Sequence, residues 1–303
     1  MKFRPPLKTS FAVVFSRSGQ LLGTINRQYL SIWQVATGQR TSRIKVLSDP
    51  SHIDFSPDDT LVVVKNTSGE IAIYDLATGN VISHFRPEES DEGCQIYFTP
   101  DGESLIDGSW QGDLNVRRID TFEKVHSLAF EKCQIRDLHY NPDLKHFSFS
   151  VNAKNGHPQF LKGFDFIGLY SWPFSDNSLT HFHHGKLNLN CFQISPDGSQ
   201  IVVLDNYTQL DIIELASKQI LAKSQLTFGG SGFALDWSSD GKMIATLEEG
   251  QVMVLGGQTL ARLRTIPIDY PCDVCFSPTN DLLAIGSWQN GLVIELKGPG
   301  LSD

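Results

Sequence analysis

Short apolar runs alternate with clusters of Gly, Pro, Asn, Asp and Ser along the chain, and residues 52–85 show the rule most cleanly. His52-Ile53-Asp54-Phe55 alternates as a half-buried strand does, and Ser56-Pro57-Asp58-Asp59 turns the chain. Leu61 to Lys65 forms a second strand, Ser68-Gly69 a second turn and Ile71 to Asp75 a third strand. Ala77-Thr78-Gly79 then turns into a fourth strand, Val81 to Phe85. Proline presets the backbone of the first turn, while Asp and Gly tolerate the bends that follow.

That first turn recurs. FSRSG begins at Phe15, FSPDD at Phe55, FTPDG at Phe98, YNPDL at Tyr140, ISPDG at Ile194, WSSDG at Trp237 and FSPTN at Phe276. The intervals are 40, 43, 42, 54, 43 and 39 residues, the repeat length of four-stranded propeller blades. Seven such units use essentially all 303 residues. The expected fold is therefore an all-β, seven-bladed β-propeller of four-stranded antiparallel blades, residues 1–303 forming one domain. Function must then lie on the surfaces and loops of the blades.

On these turns and their spacing the chain resembles the WD-repeat family, whose units carry an F-S-P-D-G turn and a Trp-Asp pair closing the third strand. The Trp-Asp position is filled here by Trp33-Gln34, Tyr74-Asp75, Ile119-Asp120, Tyr170-Ser171, Ile213-Glu214, Leu255-Gly256 and Glu295-Leu296. No repeat keeps the full pair, and the Gly-His dipeptide ahead of the first strand is absent. The resemblance thus implies degenerate repeats, in which packing of Phe, Val, Ile and Leu replaces the family's buried polar network. The last unit supplies strands at Leu282 to Gly286 and Leu292 to Leu296 but no fourth strand. Residues near Lys2 to Leu7 are expected to complete that blade as its outermost strand, where Pro5 and Pro6 are tolerable.

Charge narrows the function. Asp and Glu outnumber Lys and Arg 34 to 25, a net of -9, and no basic run tracks a phosphate backbone, which disfavours nucleic acid. The apolar run from Phe11 to Phe15 is too short for a signal-peptide core or a membrane span, so a cytoplasmic protein with no membrane association is expected. Cys94, Cys133, Cys191, Cys272 and Cys275 read as buried, reduced thiols. Cys272 and Cys275 form C-x-x-C on a strand whose alternation points them to opposite faces. The same alternation, and the lack of a following acidic residue, argues against a metal at His181, His183 and His184 with His157. No metal and no cofactor are expected.

Candidate binding residues gather where turns between second and third strands share a rim with the links between blades. The link Arg86 to Gly93 carries Glu88, Glu89, Asp91 and Glu92, an acidic lip for a partner with a basic surface. Trp110 and Trp288 occupy equivalent turns of the third and seventh units, with Tyr207 and Tyr270 on nearby loops, and exposed aromatics make interface anchors. A polar stretch from Asn152 to Gly163 accounts for the long fourth interval and reads as a lengthened loop.

For catalysis there is no G-x-S-x-G, H-E-x-x-H or glycine-rich phosphate loop. Asp54, Asp137, His139, Asp236 and Asp273, just ahead of the anchors, could line a central channel, and a propeller hydrolase or lactonase is the alternative they allow. The favoured expectation is a non-enzymatic scaffold, monomeric alone, that binds a protein on one rim as adaptor or as an inhibitory, neutralising factor.

Overall fold

A computed structural model describes residues 3, 7–10, 12–87, 91–154, 165–175, 179–182, 189–205, 208–227, 234–279 and 281–296. All regular structure among them is β-strand, in seven four-stranded antiparallel sheets, the blades of a propeller. The chain divides into two compact units, residues 1–45 with 190–303 and residues 46–189. The first unit holds four blades and the second three.

In the first unit, β2 (Ala12–Phe15), β3 (Leu21–Asn26), β4 (Tyr29–Gln34) and β5 (Gln39–Lys45) make one blade. β18 (Leu189–Ile194), β19 (Gln200–Asp205), β20 (Gln209–Glu214) and β21 (Ile220–Gln225) make another. β22 (Leu235–Trp237), β23 (Met243–Glu248), β24 (Gln251–Gly256) and β25 (Arg262–Pro267) follow. The last blade joins β26 (Pro271–Phe276), β27 (Leu282–Asn290) and β28 (Leu292–Glu295) to β1 (Lys8–Ser10).

The second unit holds β6 (Pro50–Phe55) to β9 (Val81–Phe85), with β7 (Leu61–Asn66) and β8 (Ile71–Asp75) between them. Next come β10 (Ile96–Phe98), β11 (Ser104–Gly108), β12 (Asp113–Arg118) and β13 (Lys124–Ala129). β14 (Cys133–Asn141), β15 (His146–Ala153), β16 (Asp165–Ser171) and β17 (Leu179–Phe182) complete it.

The seven repeated motifs are the turns between first and second strands, and their chemistry explains the spelling. Ser56 Oγ donates to Asp58 Oδ1 at 2.6 Å and accepts the Leu61 N–H at 2.9 Å, while Asp58 Oδ1 accepts the Thr60 N–H at 3.1 Å. Thr99 with Asp101, Ser195 with Asp197 and Ser238 with Asp240 repeat the arrangement. The next turn residue takes positive φ at Asp59, Gly102, Gly198 and Gly241, which is why glycine ends the motif so often.

Second and third strands are apolar on both faces, as in β11 (Leu105 and Ile106 both fully buried), because within a unit such a sheet packs against neighbours on its two faces. Val63, Ile71, Ile73, Ile96, Phe98 and Leu105 form one such interblade core in the second unit. The fourth strands β9, β13 and β21 are mostly exposed. Trp33, near the end of β4, is buried and donates Nε1–H to Thr24 Oγ1 at 3.0 Å.

The N-terminus does complete the last blade, by a different strand and at a different edge from those expected. β1 pairs with β27, Lys8 opposite Asn290 and Ser10 opposite Ser287, on the stretch of that long strand that the four-residue β28 leaves unpaired. Phe3 and Leu7 are buried in the same core as Trp33, Val13 and Leu282, and Phe3 meets Trp33 edge-on at 5.9 Å. Burial of two apolar side chains, beyond strand pairing, therefore fastens this segment. Pro5 and Pro6 lie outside the described residues.

Candidate functional site

The links between blades and the turns between second and third strands do lie together within each unit. After the second strand an N–H donates back to the residue preceding the first strand: Thr67 to Asp49 O, Lys154 to Lys132 O and Trp288 to Tyr270 O. Asp49, Lys132 and Tyr270 all adopt positive φ, and so does Gly93, three residues ahead of β10. There a Cβ would sit 1.9 Å from Gly108 O, so glycine is obligatory.

In the second unit Trp110 lies on the β11–β12 turn, 43% exposed. Asp91 holds that turn from the preceding link: its Oδ1 accepts the Trp110 N–H at 2.9 Å and its Oδ2 the Gln111 N–H at 3.3 Å. Asp91 N–H in turn donates to Ser68 O at 3.3 Å. The residue read as part of an acidic lip is thus a turn cap that presents Trp110. Glu92 is partly exposed beside it, whereas Glu88 and Glu89 lie outside the described residues.

Beneath this surface is Lys65, 1% exposed and following the apolar run Leu61 to Val64 of β7. Its Nζ donates to Cys94 O and Gly108 O, both at 3.2 Å, and to Asp107 Oδ2 at 3.4 Å. Three donors meet three acceptors, which is what makes a buried ammonium tolerable. The two carbonyls flank the link and the turn that carry Asp91 and Trp110. Burial first and the Lys65 charge second push the His52 imidazole down to about 3, so it is neutral.

In the first unit Tyr270 is 60% exposed and Trp288 50% exposed. Trp288 N–H donates to Tyr270 O at 3.1 Å, and Ser287 Oγ donates to Asp269 O at 2.6 Å. Trp288 does not sit in a turn equivalent to that of Trp110: β27 runs on through Trp288 to Asn290, where β1 supplies the partner, Lys8 opposite Asn290. Tyr207 lies outside the described residues.

The acidic residues ahead of the anchors fasten neighbouring first strands. Asp54 Oδ2 accepts the Phe98 N–H at 2.8 Å, and Asp236 Oδ2 accepts the Phe276 N–H at 2.5 Å. Asp273 Oδ2 accepts the Val13 N–H at 2.9 Å. Gln95 Oε1 accepts the Leu138 N–H at 3.0 Å while its Nε2 donates to Asp137 Oδ1 at 2.8 Å. His139 Nε2 stands 3.2 Å from Asp137 Oδ2. Burial raises the Asp273 carboxyl to about 7, against the lowering effect of its amide donors.

All five cysteines are unbridged, and burial pushes the Cys94 and Cys272 thiols up to about 12, far from thiolate chemistry at neutral pH. Among the described residues no three His, Cys, Asp or Glu side chains are grouped to hold a metal ion, and no helix is long and apolar enough to cross a membrane. His157, His183 and His184 lie outside the described residues, as does the loop at 155–164.

Two kinds of residue escape a reading of motifs. Gln95 and Lys65 fasten the blades, and the only signal for Lys65 is a cation closing the apolar run Leu61 to Val64. The left-handed residues Asp49, Lys132 and Tyr270 have no spelling in common.

No protein-family model matches the chain, and no curated protein does. Among solved structures it is similar to a chain of Kuenenia stuttgartiensis hydrazine synthase, with a TM-score of 0.72 over 98% of each chain at 17% identity. That likeness is one of fold. The propeller architecture therefore stands on both the blades and a full-length structural neighbour.

Proposed function

We propose that this protein is a non-enzymatic interaction module, a degenerate propeller of the WD-repeat type, that holds a protein partner in the cytoplasm as an adaptor or as an inhibitor. The observation that carries the reading is the pair of half-exposed tryptophans on supports that are already fixed, Trp110 by the Asp91 carboxylate and Trp288 by the Tyr270 carbonyl. A large aromatic side chain on a rigid backbone loses little entropy on binding, which is the property of an interface anchor.

The carboxylates that a hydrolase would need support the same reading from the other side. Asp54, Asp236 and Asp273 each accept an amide proton from the next first strand, so a structural task accounts for them. A hydrolase or lactonase is the competing reading, and the His139–Asp137 pair at 3.2 Å is the feature that favours it. Affinity capture with wild-type protein and the Trp110→Ala/Trp288→Ala variant tests the proposal. A partner retained by the wild type and lost by the variant is expected. An activity abolished by His139→Ala, with capture unaffected by the tryptophans, would replace it.

A further inference from the structure

The two tryptophan surfaces differ in charge. Beside Trp110 the chain already supplies cations: Lys154 Nζ lies 3.5 Å from Gln111 Oε1, and Lys132 precedes β14. The first-unit surface is built from Glu249-Gly250, Pro267 to Pro271 and Trp288 to Gly291, drawn together by Ile268 N–H donating to Gly250 O at 3.0 Å and by the Trp288–Tyr270 bond. These segments contain Glu249 and Asp269 and no Lys or Arg; outside them, Lys8 pairs in the backbone with Asn290.

Tyr270 adds a second observation. It is held at φ 51°, in the left-handed region, immediately before a proline. In the equivalent places stand Asp49 and Lys132. A bulky aromatic residue is disfavoured there, and with its side chain 60% exposed it is the Trp288 N–H bond to its carbonyl, not burial, that holds the backbone. An aromatic side chain left in solvent at a backbone position that disfavours it points to use.

We infer that the Tyr270–Trp288 surface receives an arginine side chain of the protein partner, with Asp269 supplying the counter-charge. This rests on the protein-binding reading above and names the partner's chemistry at that surface. Arginine fits better than lysine because its planar, weakly hydrated guanidinium stacks on aromatic faces while donating to a carboxylate. The net charge of -9 favours approach of such a partner.

The test is fluorescence anisotropy at about 0.15 M ionic strength with a labelled acetyl-(Arg-Gly)₄-amide, against the same peptide with citrulline in place of arginine. Citrulline keeps the shape and removes the charge. The arginine peptide is expected to bind about tenfold more tightly than its citrulline counterpart. Trp288→Ala with Tyr270→Ala should remove that preference, and Trp288→Phe should restore most of it. Tyr270→Gly should weaken binding while raising the melting temperature, a combination that a purely structural tyrosine would not give.

Equal binding of the two peptides, or an arginine preference surviving the double alanine variant, would overturn the inference. If capture of the native partner still depends on Trp288 in that case, the protein-binding reading stands and only arginine is wrong. If capture is indifferent to both tryptophans, the reading itself falls.

Discussion

The two units present an exposed tryptophan in different ways. In the second unit the support is charged: Asp91 grips two amides of the Trp110 turn from the side, and Lys65 grips two carbonyls from below. In the first unit backbone and a hydroxyl provide it, through the Tyr270 carbonyl, the Ser287 hydroxyl and a strand lengthened by β1. A charged support can be removed by one substitution, whereas a backbone support survives most of them. The second-unit surface is thus the fragile one.

The largest effect expected follows from Lys65. Lys65→Ala leaves the Cys94 and Gly108 carbonyls without their donor and Asp107 with only the Arg117 guanidinium, at 3.9 Å, and should cost about 3 kcal/mol in chemical denaturation. Lys65→Ala combined with Asp107→Ala should recover part of that loss; no recovery would show that the carbonyls, not the ion pair, need the ammonium. Next, Trp288→Ala and Trp110→Ala should each weaken partner binding by about 2 kcal/mol, roughly 30-fold in Kd, with melting unchanged. Calorimetric titration of the captured partner would measure it, and unequal losses would say which unit dominates.

Asp91→Ala should cost about 1–2 kcal/mol of stability and weaken partner binding through Trp110 without touching the first-unit surface. The comparison breaks if Asp91→Ala leaves binding intact. A smaller effect concerns pH. The Asp273 carboxyl, raised to about 7 when folded and near 3.8 when unfolded, binds its proton more tightly in the native state. Its contribution to stability is therefore fully present below pH ~4 and is lost as pH rises towards 7. The difference in melting temperature between Asp273→Asn and wild type should grow by a few degrees over that interval, favouring the variant at the upper end. A flat difference would show that the two amide donors cancel the effect of burial, and a reversed one that they outweigh it.

Repeats, blade count and strand order were legible because each blade spells the same hydroxyl-Asp turn, and that turn needs those side chains to close its own hydrogen bonds. The edge joined by the N-terminal strand was not legible, since it depends on the length of β27 relative to β28. Trp110 and Tyr270 could be placed on loops by spacing, whereas Trp288 lies in the extension of β27. The task of Asp91 could not, because a carboxylate capping a turn 19 residues away looks in sequence like any exposed acid. The acids ahead of the anchors read as channel chemistry for the same reason: their amide partners sit 40 or more residues away, across a blade boundary. Left-handed backbone at Asp49, Lys132 and Tyr270 is set by the pull of the neighbouring strand, which no local pattern records.

The most direct test of the central claim, protein binding through the exposed tryptophans, is size-exclusion chromatography of the tagged protein with the partner captured from its native lysate. Wild type should elute as a stoichiometric complex, and Trp110→Ala/Trp288→Ala as two separate, folded species. A complex that survives both substitutions intact would contradict the claim.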